Sequence, residues 1–142
     1  MHRCAARAAS TGASRRLVLS SLAAATLLAA LPAQSQALMR RFPRNALRGE
    51  ITFGAFPEIL LNGRAASLAP GARVKDMGNA MPMPGALVGN KYVVNFTVNG
   101  MGLVQDVWIL RPDEIRMQPW PRTPLEAQTW AFNEGEQTWA KP

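Results

Sequence analysis

The stretch that decides the fold is KYVVNFTVNGMGLVQDVWIL, residues 91–110. Tyr92, Val94, Phe96 and Val98 alternate with Val93, Asn95 and Thr97, the period-two pattern of a β-strand with two unlike faces. Asn99-Gly100 follows, a dipeptide that accepts positive φ at both positions and suits a two-residue hairpin turn. That turn pairs Val98 with Met101, Phe96 with Leu103 and Tyr92 with Val107. One face then carries Tyr92, Val94, Phe96, Val98, Met101, Leu103, Val107 and Ile109, with Gln105 its one polar member. A three-residue loop would set Asp106 beside Val94, and burying an unpaired carboxylate costs more than any turn preference. The other face holds Val93, Asn95, Thr97, Val104, Asp106, Trp108 and Leu110. It is too greasy to stand free in water and too polar for a dry core, so something is expected to cover it.

Upstream, short strands and turns continue. Glu50 to Phe53 and Glu58 to Leu61 read as strands, and Asn62-Gly63 predicts a hairpin returning through Arg64 to Leu68. Pro70-Gly71 reads as another turn, leading into Ala72 to Lys75, and Asp76 to Gly85 reads as a loop. Downstream, Arg111 to Glu114 suits a turn or a single helical turn. Thr123-Pro124-Leu125-Glu126 has the form of a capped helix start, predicting a short helix over 124–132. Gln128-Thr129-Trp130-Ala131 recurs as Gln137-Thr138-Trp139-Ala140, but two copies do not make a solenoid. The expected fold is mainly β: a small antiparallel barrel or rolled sheet, SH3-like or OB-like, with a short C-terminal helix and an irregular tail.

The other end of the chain reads as an export signal. Arg3, Arg7, Arg15 and Arg16 make a basic leader, Leu17 to Leu31 is uncharged, Pro32 breaks the run, and Ser35-Gln36-Ala37 supplies a small-residue cleavage site. Cleavage is expected after Ala37, with Ala33 as the alternative. The apolar run is shorter than the roughly 20 residues that span a bilayer as a helix, so no transmembrane span is expected after cleavage. Ser14-Arg15-Arg16-Leu17-Val18-Leu19 resembles the twin-arginine export motif, with Val18 where that pattern has Phe; ordinary Sec secretion is the other route. Cys4 precedes the apolar run, the wrong side for lipid attachment. The expected location is the periplasm of a Gram-negative bacterium, or the medium.

This expected processing divides the chain into a signal peptide (1–37), a basic flexible arm (38–49), a small β-domain (50–116) and a Trp-rich tail (117–142). It leaves 105 residues, a size for one domain. Net charge falls from +7 to +3, so the basic precursor gives no case for nucleic-acid binding. The single Cys and the single His both lie in the leader, which excludes Ser-His-Asp and Cys-His catalysis and zinc sites built on His or thiolate. No phosphate-binding glycine loop is present. No cofactor is expected. Met77, Met81 and Met83 cluster in one loop as potential Cu(I) thioether ligands, though hydrophobic filling explains them as well.

Leu61-Asn62-Gly63, Pro70-Gly71-Ala72-Arg73-Val74, Gly85-Ala86-Leu87-Val88-Gly89 and Val107-Trp108-Ile109-Leu110 together resemble a family of small, uncharacterised secreted bacterial β-domains. The resemblance runs from Glu58 to Glu114, contains no chemical motif and implies no activity. The expected role is therefore a non-catalytic binding or structural module of the cell envelope, contacting a protein or glycan. Asn95, Asp106, Trp108, Trp120, Trp130 and Trp139 are the candidate partner-binding surface, because Trp gives large rigid contact area. Tail tryptophans clamped onto the barrel are the competing account of the same residues. Arg40, Arg41, Arg44 and Arg48 could make weak contact with anionic lipid. The alternatives are an accessory subunit of a larger envelope complex, or a carboxylate-dependent hydrolase using two of Glu58, Asp76, Asp106, Asp113 and Glu114. N-terminal sequencing of the exported protein should find Leu38 first; a retained His2 would contradict cleavage.

Overall fold

The computed structural model describes residues 38–142; the expected signal peptide, with Arg15, Arg16 and Cys4, lies outside the described residues. Five strands close into a barrel: β1 (Leu47–Phe53), β2 (Glu58–Leu61), β3 (Arg64–Lys75), β4 (Lys91–Val98) and β5 (Val104–Ile109). Their order around the barrel is β1-β2-β3-β5-β4, and β4 pairs back onto β1. All neighbours are antiparallel except β3 and β5, which run parallel. This is a mainly β, small-barrel fold, and its five-stranded crossover order is the OB-like one of the two expected types. A helical turn, α1 (Pro112–Ile115), a short helix, α2 (Pro124–Thr129), and a hairpin of β6 (Ala131–Asn133) and β7 (Thr138–Ala140) follow. Among the described residues no helix is long and apolar enough to cross a membrane.

Side-chain alternation fills the barrel. Leu47, Ile51 and Phe53 of β1, Val94 and Phe96 of β4, and Val107 and Ile109 of β5 are all buried, joined by Ile59 of β2 and Leu68 of β3. Asn62 and Gly63 form the β2–β3 turn with φ of 52° and 80°, as that dipeptide predicts. Pro70-Gly71 does not reverse the chain. It is a bend inside β3, with Gly71 at φ 76°, where the strand leaves β2 and joins β5 through an irregular register. Small closed barrels need such corners, and glycine allows one without a steric penalty.

The 91–110 hairpin forms, but in a different register. Val94 pairs with Ile109, Phe96 with Val107 and Thr97 with Asp106, and a bulge then sets Val98 opposite Val104. The connection is Asn99–Leu103, not a two-residue turn: Asn99 Oδ1 accepts from the backbone N–H of Met101 (2.9 Å) and Leu103 (3.0 Å), and Gly102 takes φ 79°. An Asn side chain that replaces ladder bonds makes the longer loop affordable. The pairing differs from the expected one by an even number of residues, so Val94, Phe96, Val107 and Ile109 stay inside, while Val98 and Met101 turn out to solvent.

The segment read as a flexible arm is docked. Arg40 donates to Glu114 Oε1 (2.7 Å), to the Asp76 carbonyl (2.8 Å) and to the Ile109 carbonyl (2.7 Å). Phe42 is buried between Trp108 and Trp120, edge-on to both rings. Arg48 lies within β1, its guanidinium bonded to Asn95 Oδ1 (3.1 Å) and to the carbonyls of Glu114, Ile115 and Met117. Arg40 and Arg48 are thus committed to the interior, and of the four arginines expected to meet lipid, Arg41 and Arg44 stand exposed.

Burial alone would raise the Glu114 carboxyl, but hydrogen bonds from Arg40 and the Arg111 backbone, with the charges of both, hold it below the usual range. The ionised form is thus the one the fold favours, so its stabilisation is complete above about pH 4.5 and drains as pH falls below that. Removing one partner of a buried pair costs about 3–5 kcal/mol. Glu114→Ala should therefore lower the melting temperature sharply at pH 7. Glu114→Gln should flatten the fall in melting temperature below pH 4.5; a profile parallel to wild type would refute the assignment.

Candidate functional site

Of the predicted binding residues, Asn95, Trp108, Trp120 and Trp139 are buried, and Asp106 and Trp130 remain partly exposed. β1, β4 and β5 present Arg48, Asn95, Thr97, Asp106 and Trp108 on the outside of the barrel, the half-polar face noted in the sequence. The N-terminal segment and the C-terminal tail close over it. Asn95 is fully buried, and Trp108, Trp120 and Trp139 are 9%, 5% and 4% exposed. Trp120 stacks under the Arg48 guanidinium at 4.9 Å, donates from Nε1 to the Ala46 carbonyl (3.0 Å), and meets Trp139 and Phe132 edge-on. Trp139 packs on Phe132 with centroids 4.6 Å apart. Trp108, Trp120 and Trp139 thus form a second core, occupied by the chain's own Phe42 and Arg48. Trp130 alone is half-buried, with Lys141 above it at 5.2 Å. The two Gln-Thr-Trp-Ala copies differ in place, one ending α2 and the other forming β7.

Four of the five candidate acids are individually engaged. Asp106 pairs with Arg73 (2.9 Å) and meets the Thr97 hydroxyl (3.3 Å). Asp76 Oδ1 accepts from the Ala80 N–H (2.9 Å), a turn contact. Glu114 is the buried clasp, Asp113 lies 3.6 Å from Arg111, and Glu58 is exposed at the start of β2. Among the described residues no three His, Cys, Asp or Glu side chains gather where they could hold a metal ion.

Apolar surface appears elsewhere. β1 and β3 run toward one end of the barrel, which therefore carries the β1–β2 loop (54–57) and the long β3–β4 loop (76–90). Between them lies a cleft of about 300 Å³, floored by Leu68, Ala69, Ala72 and Val74 of β3 and walled by Phe56, Met81 and Leu87. Pro57, Gly71, Pro82 and Pro84 complete it, so every lining side chain is apolar. Phe56 is 37% exposed and stacks on Phe53, while Met81 is 70% exposed. Of the three loop methionines, Met81 lines this cleft, and Met77 and Met83 are exposed. The alternation of Met with Pro was the one sequence signal: Pro82 and Pro84 favour extended backbone at Met81 and Met83, ahead of the more apolar Leu87 end of the same loop.

Burial makes the tryptophans a direct check. Emission should be blue-shifted, and acrylamide should quench Trp130 readily while sparing the other three. Trp130→Phe should remove most of the quenchable fraction; uniform quenching of all four rings would contradict the docked tail.

The chain matches no family model, no curated protein and no solved structure. Its role must therefore be read from its own surface.

Proposed function

We propose that the chain is an exported small β-domain of the cell envelope that acts as a non-catalytic binding module, gripping an apolar segment of a partner protein between the β1–β2 and β3–β4 loops. The observation that carries this reading is the lining of the cleft, which offers no charge and no hydrogen-bonding side chain to a ligand. A volume of about 300 Å³ lies at the small end of ligand pockets and suits a few apolar side chains. Met81 is unbranched and polarisable, which fits a surface that moulds to its partner. The cleft is framed by strand β3 and by proline-stiffened loops, so little ordering entropy opposes binding.

The reading is preferred to a hydrolase because four of the five acids expected for catalysis are engaged in an ion pair, a clasp or a turn, which leaves Glu58 without an acidic partner free to share the work. An accessory-subunit role is served by the same cleft, with the partner being the rest of the complex.

Site-directed photo-crosslinking in intact cells tests the proposal. A benzophenone side chain in place of Met81 should give a discrete adduct with an envelope protein, and adding Phe56→Asp should abolish it. Met101, 77% exposed on the β4–β5 loop at the opposite end of the barrel, is the control position and should give none. Equal adducts at both positions, or none at Met81, would overturn the assignment.

A further inference from the structure

A second cavity, of about 510 Å³, has the opposite chemistry. It lies on the outer side of β1, between the β2–β3 turn and the tail, and Arg48, Glu50, Asn62, Lys91, Gln118 and Arg122 are its polar walls. Three cations face one carboxylate, and that carboxylate, Glu50, is already held by Lys91 Nζ at 2.7 Å. Arg48 is turned inward, bonded to Asn95 and to carbonyls of the tail.

Arg122 differs from both. Its guanidinium has no hydrogen bond or ion-pair partner among the described residues, although its backbone N–H is fixed to Glu126 Oε2 at 2.7 Å. Its charge is felt at Arg48, whose pKa burial and this neighbouring cation lower to about 10 despite Glu114, and at Glu50. The cavity is thus a region of positive potential with its strongest exposed donor unspent.

The amides are arranged to match. Asn62 Oδ1 accepts from the Glu50 N–H at 2.9 Å, which fixes the side chain and leaves its NH₂ group without a protein partner among the described residues. A Cβ on Gly49 would stand 2.9 Å from that Oδ1 and 3.0 Å from Phe96, so glycine is what lets the carboxamide lie flat on β1. Gln118 lines the opposite wall, its side-chain amide likewise unpaired among the described residues.

The geometry points to this cavity as a binding site for an anionic sugar: Arg122 takes the oxyanion, assisted by Lys91, whose ammonium keeps two N–H donors beyond its bond to Glu50, and the Asn62 and Gln118 amides take ring hydroxyls. Guanidinium matches the planar or tetrahedral fork of a carboxylate or phosphate, and amides both donate to and accept from hydroxyls. The volume exceeds that of a bare oxyanion and leaves room for one sugar ring. This site is independent of the apolar cleft, whose lining shares no residue with it.

The test is a titration of the ¹⁵N-labelled chain followed by NMR, reading the Gly49 and Gly63 amides. Glucose 1-phosphate and glucuronate are the two anionic probes, with glucose and inorganic phosphate as the partial ones. At least one anionic sugar should shift both amides saturably, more weakly at high salt, and glucose and phosphate alone should bind at least about tenfold less tightly, since each lacks half of the contacts. The better of the two anionic sugars identifies the oxyanion. Arg122→Gln and Lys91→Gln should each weaken binding about tenfold or more, as expected for loss of a charge-assisted bond. Arg44→Gln, at an exposed position lining a different cavity, should leave it unchanged. Phosphate binding as well as glucose 1-phosphate, glucose binding as well as either, or an Arg122→Gln variant that folds and binds normally would each overturn the assignment.

Discussion

A buried arginine governs this structure. Arg48 sits on the outer face of a closed barrel, where side chains usually meet water, yet it is only 5% exposed. A guanidinium taken out of water must find acceptors for its donors, or its burial is prohibitive. β4 provides one through Asn95, and the rest are backbone carbonyls of residues 114–117 in the tail. The tail is therefore not optional cover. Trp120 then closes over the guanidinium, and Phe42 fills the angle between Trp120 and Trp108. Arg40 repeats the device at the next position along, joining Glu114, the end of β5 and the start of the β3–β4 loop. Two arginines thus tie the segments that flank the barrel, around residues 40 and 114–117, to the sheet, a job that disulfides do in many small domains. Buried ion pairs contribute little net stability against apolar replacements, but they permit one arrangement of the parts.

That arrangement decides which surfaces are left for other molecules. A closed barrel has no free strand edge, which removes strand addition as a way of recruiting a partner to it. The aromatic rings, the usual anchors of an interface, are largely spent on the second core. Exposed apolar residues are scattered singly on β2, β4 and α2, as Leu60, Val98 and Leu125, and gather into a cleft between the β1–β2 and β3–β4 loops, while unpaired polar groups gather beside the tail. The proposed contacts fall on those two regions because the arginine clasp has consumed the face between them.

Much of the fold was legible because period-two alternation and Asn-Gly turns act locally. Val94, Phe96, Val107 and Ile109 were placed inside correctly even though the hairpin register was not, since a shift by an even number of residues preserves the faces. The register itself hinged on the Asn99 side chain capping a five-residue loop, and on Gly102, which offers positive φ as readily as Gly100 does. Pro70-Gly71 misled for a related reason: the same dipeptide serves a reversal or a barrel corner, and only closure chooses between them. Arg40 and Arg48 looked like a solvated basic run because their acceptors are mostly backbone carbonyls far along the chain, which no sequence pattern displays. The tryptophan tail was expected to cover the barrel or to meet a partner, and burial of two of its three rings, Trp120 and Trp139, favours the cover. The cleft was illegible for a different reason, since Phe56, Ala72 and Met81 come from three separate segments.

The tail's double role has an energetic consequence. Gln118 and Arg122 belong to the segment that Trp120 anchors, and they also form one wall of the polar cavity. Anything bound against both that wall and β1 adds to the forces holding the tail in place, because it binds the docked arrangement and not the undocked one. The coupling is reciprocal: a substitution that loosens Trp120, which does not line the cavity, weakens any binding there without touching the bound molecule. One short stretch of chain, residues 114–122, thus satisfies the buried Arg48 on one side and on the other holds Arg122, whose guanidinium has no partner among the described residues.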